Sequence, residues 1–222
     1  MIPRILIDSA QIPGGGELRL FQRGKEFSIM LGNNELMNSR LSGSEEALAT
    51  LPCERLSGRA ASRILIGGLG MGFTLRAALP LLDASAEVIV AELVPAVVKW
   101  ARGPMADLFE GSLSNPRVSI ETADVFDLIS EHQDHFDAIL LDVDNGPDGI
   151  THASNDRLYT IAGLKAAKRA LRPGGILAVW SSASDPKFTR RLMKAGFSVE
   201  ENPVRGRGKR GAHHMIWLAT RT

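Results

Sequence analysis

The chain has little cysteine, few aromatic residues and no excess of either charge. Cys53 is its only cysteine, which excludes an internal disulfide and a thiolate zinc site built by this chain alone. With 26 basic and 25 acidic residues the formal net charge is +1, so no global field draws the protein towards nucleic acid or a membrane surface. No segment approaches the roughly 18 consecutive apolar residues that a membrane helix needs, and the start lacks a signal-peptide pattern. We therefore expect a cytoplasmic protein that uses neither metal nor membrane.

The N-terminal quarter reads as short strands followed by a helix. Residues 17–39 contain three strand-like runs, separated by "RGK" and "GNN", in which glycine and asparagine can take the positive φ of tight turns. The segment "SGSEEALATL" then predicts a helix capped by Ser42 or Ser44, with glutamates in its first turn. We expect residues 1–55 to form a β-hairpin extension and residues 56–222 to form the main domain.

From Arg63 onward, strand-like and helix-like segments alternate. Such alternation predicts an α/β fold with a parallel sheet wrapped by helices. The last two strands, "GFSVEENPV" and "AHHMIWLAT", follow each other directly and predict an antiparallel hairpin at the end of that sheet. Five βα units closed by a hairpin are the outline of a class I S-adenosylmethionine-dependent transferase with a Rossmann-like sheet.

A glycine-rich turn follows the first strand of the main domain, in "RILIGGLGMGFTLRAAL". Gly68, Gly70 and Gly72 let the backbone approach a ligand closely and adopt angles that a side chain forbids. The dinucleotide-binding pattern G-x-G-x-x-G would need its third glycine at Phe73, so that class of site is excluded. A tight turn that binds no ligand stays open at this point.

Acidic residues follow the next two strands. Glu92, which is followed by Leu93, stands where a carboxylate can accept both hydrogen bonds from a ribose diol. The alternative is a structural role, in which its negative charge is stabilised by the N-terminus of the helix that Pro95 begins. In class I transferases the position of Asp124 accepts from an adenine amino group, and the backbone near Val125 contacts the ring. Asp124 can also cap a helix, and one residue can do both. The order and spacing of these features together indicate an adenosyl ligand.

With these segments in this order, the chain resembles the spermidine synthase family over nearly its whole length. The resemblance implies a class I methyltransferase fold, decarboxylated S-adenosylmethionine as donor, and transfer of its aminopropyl group to putrescine, which leaves methylthioadenosine. It also implies a homodimer formed through the N-terminal hairpins. The matched segments are "SEEALATLP", "RILIGGLGMGFTLRAAL", "VAELVPAVVKWAR", "NPRVSIETADVFDLI", "FDAILLDVDNGP" and "LYTIAGLKAAKRALRPGGILAVW".

Two aspartates after the fourth strand are the candidate catalytic residues. The resemblance implies that Asp142, which would also border the donor, helps to deprotonate the attacking amine. Asp144 lies near a second acidic position of the family, although "DVDNGP" differs from the usual D-[ST]-[ST]-D-P. The resemblance also assigns the glycine turn to the donor, Glu92 to its ribose and Asp124 to its adenine.

The amine half of the site matches the family poorly. The family turn carries an aspartate for the ammonium group of the donor, and that position falls on Met71. A thioether cannot pair with an ammonium group, whereas it would tolerate the α-carboxylate of intact S-adenosylmethionine; filling of core space is the alternative role. The family glutamine after the hairpins falls on Met37, and the sole tyrosine is Tyr159.

Three functions follow from this pattern. The first hypothesis is methyl transfer from S-adenosylmethionine to an unidentified small acceptor, with Asp142 orienting the acceptor. Residues of the next loop would line the acceptor pocket and its lid: Asp144, Asn145, Asp148 and His152. The alternative is an aminopropyltransferase that uses decarboxylated S-adenosylmethionine and an amine.

A non-catalytic adenosyl-binding protein is the third hypothesis. A nucleic-acid-associated module, with the basic loop as its contact, belongs to the same class of hypothesis. We do not expect nucleic acid as a partner, because the loop lacks interleaved aromatic residues and the sequence supplies no other basic face. The cations of that loop are Arg205, Arg207, Lys209 and Arg210.

Overall fold

The computed structural model of the protein describes residues 2–13, 15–143, 156–207 and 210–222. Its N-terminal part is an antiparallel sheet in the order β1-β2-β3-β4. The three strands expected within residues 17–39 are confirmed, and Gly24 and Gly32 take φ of 62° and 56° in the turns between them. The strands are β1 Ile5–Gln11, β2 Glu17–Arg23, β3 Glu26–Leu31 and β4 Asn34–Asn38.

Strand β1 was not expected from the sequence. It lies at the edge of the sheet, and its apolar residues Ile5 and Leu6 are exposed, so the run lacks the apolar–polar alternation of a half-buried strand. The homodimer implied by the resemblance stays a prediction.

Helix α1, Gly43–Arg55, follows the N-terminal sheet and packs against the main domain. The expected side-chain cap is wrong: Ser42 is the residue before the helix but its side chain makes no cap hydrogen bond. The Ser44 hydroxyl instead donates to the adjacent carboxylate of Glu45, at 2.6 Å. Leu48 and Cys53 lie on the buried face of α1. The domain boundary at residue 55 stays a prediction.

The described strands of the main domain form one sheet in the order β10-β11-β9-β8-β5-β6-β7. Strands β5 to β9 run parallel to one another, whereas β11 is antiparallel to both β9 and β10, which confirms the expected α/β class. The strands are β5 Arg63–Gly67, β6 Glu87–Ala91, β7 Val118–Glu121, β8 Phe136–Leu141, β9 Leu171–Ser181, β10 Phe197–Arg207 and β11 Arg210–Arg221.

Helices cover both faces of this sheet, and every residue of β8 is buried as a result. Large aromatic side chains fill the two sides of the core, Trp100 and Phe109 on one and Phe188 and Trp217 on the other. Within the described residues no helix has both the length and the apolar composition that crossing a membrane would require. The remaining helices are α2 Phe73–Ala78, α3 Pro95–Arg102, α4 Val125–Glu131, α5 Asp156–Tyr159, α6 Ile161–Ala170 and α7 Pro186–Lys194.

The order of the strands places a crevice beside β5. The chain runs from β5 to β6 and β7 on one side and then crosses to β8 on the other. Where the direction of winding reverses in this way, the carboxyl ends of the strands leave room for a ligand.

Candidate active site

A cavity of about 190 Å³ lies at the carboxyl ends of the parallel strands. The N-terminal sheet closes it from the other side with apolar residues that include Leu18, Ile29 and Met37. All nine residues expected to bind the donor line this one cavity: Gly68, Gly70, Met71, Gly72, Glu92, Leu93, Asp124, Val125 and Asp142. Fold and spacing therefore bring the predicted set together.

The three glycines of the turn all have positive φ, at 93° for Gly68, 49° for Gly70 and 79° for Gly72. A Cβ at Gly68 would lie 2.4 Å from the carbonyl oxygen of Asp142, and one at Gly72 would lie 2.4 Å from the ring of Phe109. These two glycines are thus required by the packing of the protein itself, before any ligand is considered.

Glu92 holds the glycine turn against the end of β6. Its side chain is buried, and its two oxygens accept hydrogen bonds from the backbone N–H groups of Leu69 at 3.0 Å and Val94 at 2.8 Å. Burial raises the pKa of this carboxyl, and the backbone N–H groups act in the opposite direction. Each carboxylate oxygen has a second lone pair, so contact with a ribose diol stays compatible with these bonds.

Asp124 caps the N-terminus of α4, which confirms one of the two roles expected for it. Its Oδ1 accepts from the backbone N–H of Phe126 at 2.8 Å. Its Oδ2 lies 2.7 Å from Nη2 of Arg157 in α5, and that guanidinium also covers the Phe126 ring at 4.4 Å. Arg157 was not expected here, because nothing in its local sequence shows that α5 packs beside α4. The adenine contact of Asp124 stays a prediction.

Asp142 stands at the end of β8 with one side-chain partner among the described residues, the hydroxyl of Thr74, which donates to Oδ2 at 2.9 Å. Burial raises the pKa of Asp142 to about 7, the negative charge of Glu45 raises it too, and the Thr74 hydrogen bond opposes both. A carboxyl group with this pKa can exchange a proton near neutral pH. Asp144, Asn145, Asp148 and His152 lie outside the described residues.

Glu45 and Trp180 are cavity residues that sequence reasoning missed. Both line the cavity, Glu45 from the first turn of α1 and Trp180 from the end of β9. Trp180 is partly buried, packs against the core and stacks on His214 with ring centroids 5.0 Å apart. The pair of glutamates in "SEEALATLP" was interpreted only as a favourable first turn, although one of them also faces a cavity.

The wall around the glycine turn is apolar where the family was expected to carry polar groups. Met71 is buried, packs in the core and also borders the cavity, so it does fill core space, and its effect on the choice of donor stays a prediction. A Cβ at Gly70 would lie 3.1 Å from Sδ of Met37, which places that methionine directly over the turn. Tyr159 is buried edge-on against Phe188, away from the cavity lining.

The basic loop joins β10 to β11 at the edge of the sheet. Arg205 is exposed, and Arg207 pairs with Arg210 in the backbone register of the hairpin. Lys209 lies outside the described residues. The expectation that nucleic acid is not a partner stays a prediction.

The family model for the spermine/spermidine synthase domain matches residues 42–196, more than half of the chain. The chain belongs to the spermine/spermidine synthase family. Among curated members, polyamine aminopropyltransferase 1 of Streptomyces coelicolor is 33% identical over 148 residues, which cover 63% of this chain and 27% of that protein. The polyamine aminopropyltransferase of Sulfolobus acidocaldarius is 29% identical over 126 residues, which cover 57% of this chain and 40% of that protein. The chain therefore matches well under half the length of these relatives.

Solved structures of the family share the fold. Spermidine synthase from Thermotoga maritima superposes with a TM-score of 0.76 at 20% identity, over 98% of this chain and 73% of that one. A spermidine synthase in complex with the transition-state analogue AdoDATO gives 0.75, again at 20% identity, over 98% and 72%. The comparisons confirm the family resemblance and the fold. Because the curated relatives are named for aminopropyl transfer, they favour the second functional hypothesis, and methyl transfer is not supported.

Proposed function

We propose that this protein transfers the aminopropyl group of decarboxylated S-adenosylmethionine to an amine. The observation that carries the proposal is the charge of the cavity. Its charged lining residues in the described part of the chain are all acidic, and the rest of the lining is mainly apolar: the acids are Glu45, Glu92, Asp124 and Asp142. A cavity of one negative sign suits cationic substrates.

The same charge distinguishes the two donors. Decarboxylated S-adenosylmethionine carries a sulfonium and an ammonium group and no carboxylate. Intact S-adenosylmethionine brings an α-carboxylate into the cavity, where Glu45 and Asp142 would repel it. Neutral Met71 would tolerate that carboxylate but leaves these two sources of repulsion, so the cavity as a whole favours the decarboxylated donor.

The proposed reaction needs alignment and one proton acceptor. The lone pair of a neutral amine attacks the methylene carbon next to the sulfonium, the C–S bond breaks, and its electron pair neutralises sulfur in methylthioadenosine. Asp142 takes the proton that the amine loses, for which a pKa of about 7 is well matched. Glu92 and Asp124 hold the ribose and the adenine in this scheme.

Donor preference and product release test the proposal. Calorimetric titration should give at least about tenfold tighter binding of the decarboxylated donor, which corresponds to ~1.4 kcal/mol. Release of methylthioadenosine should then depend on added putrescine or another amine. Tighter binding of intact S-adenosylmethionine would contradict the proposal. So would release of methylthioadenosine at a rate that does not depend on the added amine.

A further inference from the structure

Glu45 is the acidic residue of the cavity that the proposed reaction leaves without a role. It lies in the first turn of α1 and is partly buried, while its neighbour Glu46 is exposed to solvent. Its Oε2 accepts from the Ser44 hydroxyl at 2.6 Å, which fixes the carboxylate without neutralising it. No lysine or arginine forms an ion pair with Glu45 or Asp142 in the portion of the chain that the structure covers.

Thr74 ties Glu45 to the same corner of the cavity as Asp142. The Thr74 hydroxyl lies 2.9 Å from Oδ2 of Asp142 and 3.5 Å from the backbone carbonyl oxygen of Glu45. The first turn of α1, the start of α2 and the end of β8 therefore meet at one side chain. The two carboxylates are close enough that the charge of Glu45 raises the pKa of Asp142.

The described side chains around Glu45 and Asp142 attract a cation and do not neutralise the two carboxylates. The indole of Trp180 lines the same cavity, and an aromatic face attracts ammonium groups. His214 stacks behind that indole and is within electrostatic range of Glu45, but burial lowers the pKa of His214, so its ring is neutral near pH 7. A cationic ligand would relieve the repulsion between the two carboxylates.

We propose that Glu45 holds the reacting ammonium group of the amine acceptor, in a subsite shared with Asp142 and Trp180. The inference rests on the proposed function and names its acceptor subsite. Glu45 keeps its charge throughout and positions the nitrogen. Asp142 takes one proton from the bound ammonium group, which frees the lone pair of the neutral amine for attack on the donor. An acidic residue of α1 thereby contributes to the amine half of the site, for which the sequence matches the family poorly.

Binding of putrescine to the protein loaded with methylthioadenosine tests this role separately from turnover. Methylthioadenosine has no ammonium group, so it fills the nucleoside half and leaves the acceptor subsite open. We expect Glu45→Gln to weaken putrescine binding at least about tenfold, since it removes a fixed counter-charge at constant size. Glu46→Gln, one residue along and exposed, is the matched control and should bind putrescine as the wild type does.

The pH profile supplies a readout that a merely structural role would not move. Removing the charge of Glu45 lowers the pKa of Asp142, so the acidic limb of kcat/KM should shift to lower pH in Glu45→Gln. Glu45→Asp, which keeps the charge with a shorter reach, should recover part of the putrescine affinity. Unchanged binding of methylthioadenosine to each variant confirms that it has folded.

Two results would overturn the assignment. The first is putrescine affinity in Glu45→Gln equal to that of the wild type, or no putrescine binding to the wild type at all. The second is a Glu45→Gln variant that binds decarboxylated S-adenosylmethionine more weakly than the wild type but binds putrescine equally well, which would mean that Glu45 contacts the donor instead of the acceptor. Glu45-dependent putrescine binding without any release of methylthioadenosine would support the subsite and refute only the proposed reaction.

Discussion

The two ends of strand β8 each carry an aspartate, and the two are treated in opposite ways. Asp137, near the amino end, is fully buried and is surrounded by donors from this chain. Arg59 Nη1 lies 2.7 Å from it, Arg172 Nη1 lies 2.8 Å away, and the backbone N–H of Arg63 donates at 2.8 Å. The positive charge that a buried carboxylate needs is supplied within the fold.

Asp142, at the carboxyl end, has a single neutral hydroxyl as its described side-chain partner and a second carboxylate, Glu45, nearby. Among the side chains that the structure describes, no arginine forms an ion pair with Asp142. A carboxylate whose counter-charge is missing from the protein is a feature of binding sites, whereas one that is fully paired is a feature of scaffolds. We call the Asp137 end of β8 its anchored end, and the Asp142 end, where the proposed function places the proton acceptor, its functional end.

The largest expected effect breaks the functional end of this comparison. Asp142→Asn keeps the size of the side chain and removes its capacity to take a proton. We expect release of methylthioadenosine to fall by about 10²- to 10⁴-fold, the range for loss of a general base, while binding of methylthioadenosine itself is kept. Chromatographic product assays measure the first and calorimetry the second. A variant with near wild-type turnover would exclude Asp142 as the proton acceptor.

Breaking the anchored end should affect stability instead. Asp137→Asn leaves Arg59 and Arg172 without their carboxylate and should lower the free energy of unfolding by about 3 kcal/mol. The value lies at the low end for buried pairs because the arginine side chains remain 36% and 34% exposed and are partly solvated. Urea denaturation measures it. Equal losses of stability in Asp142→Asn and Asp137→Asn would remove the distinction between the two ends.

The glycine turn packs against the backbone of Asp142 at the functional end of β8. Two alanine variants separate the cost of backbone strain from the cost of this contact. Gly68 and Gly58 have similar backbone angles, φ of 93° and 85°, but a Cβ at Gly58 meets nothing within 4 Å. Gly58→Ala should cost about 1 kcal/mol from backbone strain alone. Gly68→Ala should cost about 2 kcal/mol or more and weaken methylthioadenosine binding, because its Cβ collides with Asp142. Indistinguishable urea midpoints would show that this contact is relieved without consequence.

A pH dependence of stability also sharpens the comparison between the two ends of β8. The pKa of Asp142 is raised in the folded protein to about 7 from 3.8, so the folded state binds the proton more tightly than the unfolded chain does. The ionised form therefore destabilises the fold, and this group makes the wild type lose stability as pH rises from about 4 to 7. Asp142→Asn lacks this loss, so the difference between the two should grow in that interval. Parallel stability curves from pH 4 to 8 would contradict the raised pKa.

Much of the fold, and the nine expected residues that line the cavity at the carboxyl ends of the parallel strands, followed from local patterns. The alternation after Arg63 predicted the parallel sheet, and the glycine spacing predicted the turn, because both depend on neighbours in the chain. The cap at Asp124 was predictable for the same reason. What escaped prediction depends on tertiary packing: β1 is an exposed edge, and Arg157 meets Asp124 across 33 residues.

Glu45 shows this limit most clearly. In the sequence it is indistinguishable from Glu46, since both are acidic residues in the first turn of a helix. Only the rotation of α1 as it packs against α2 decides which of them faces the cavity. The place of Trp180 is hidden for a similar reason, because an apolar strand has the same pattern whether one of its last residues is fully buried or borders a cavity.

The bonds that Glu92 makes to Leu69 and Val94 have a consequence for the speed and strength of ligand capture. They link the glycine turn to the end of β6 without help from any ligand. The turn is therefore already ordered when a donor arrives, and its conformational entropy is lost during folding rather than during association. A preorganised turn leaves more of the contact free energy for affinity. It also makes rapid binding the expected behaviour, since no slow rearrangement of the turn has to precede it.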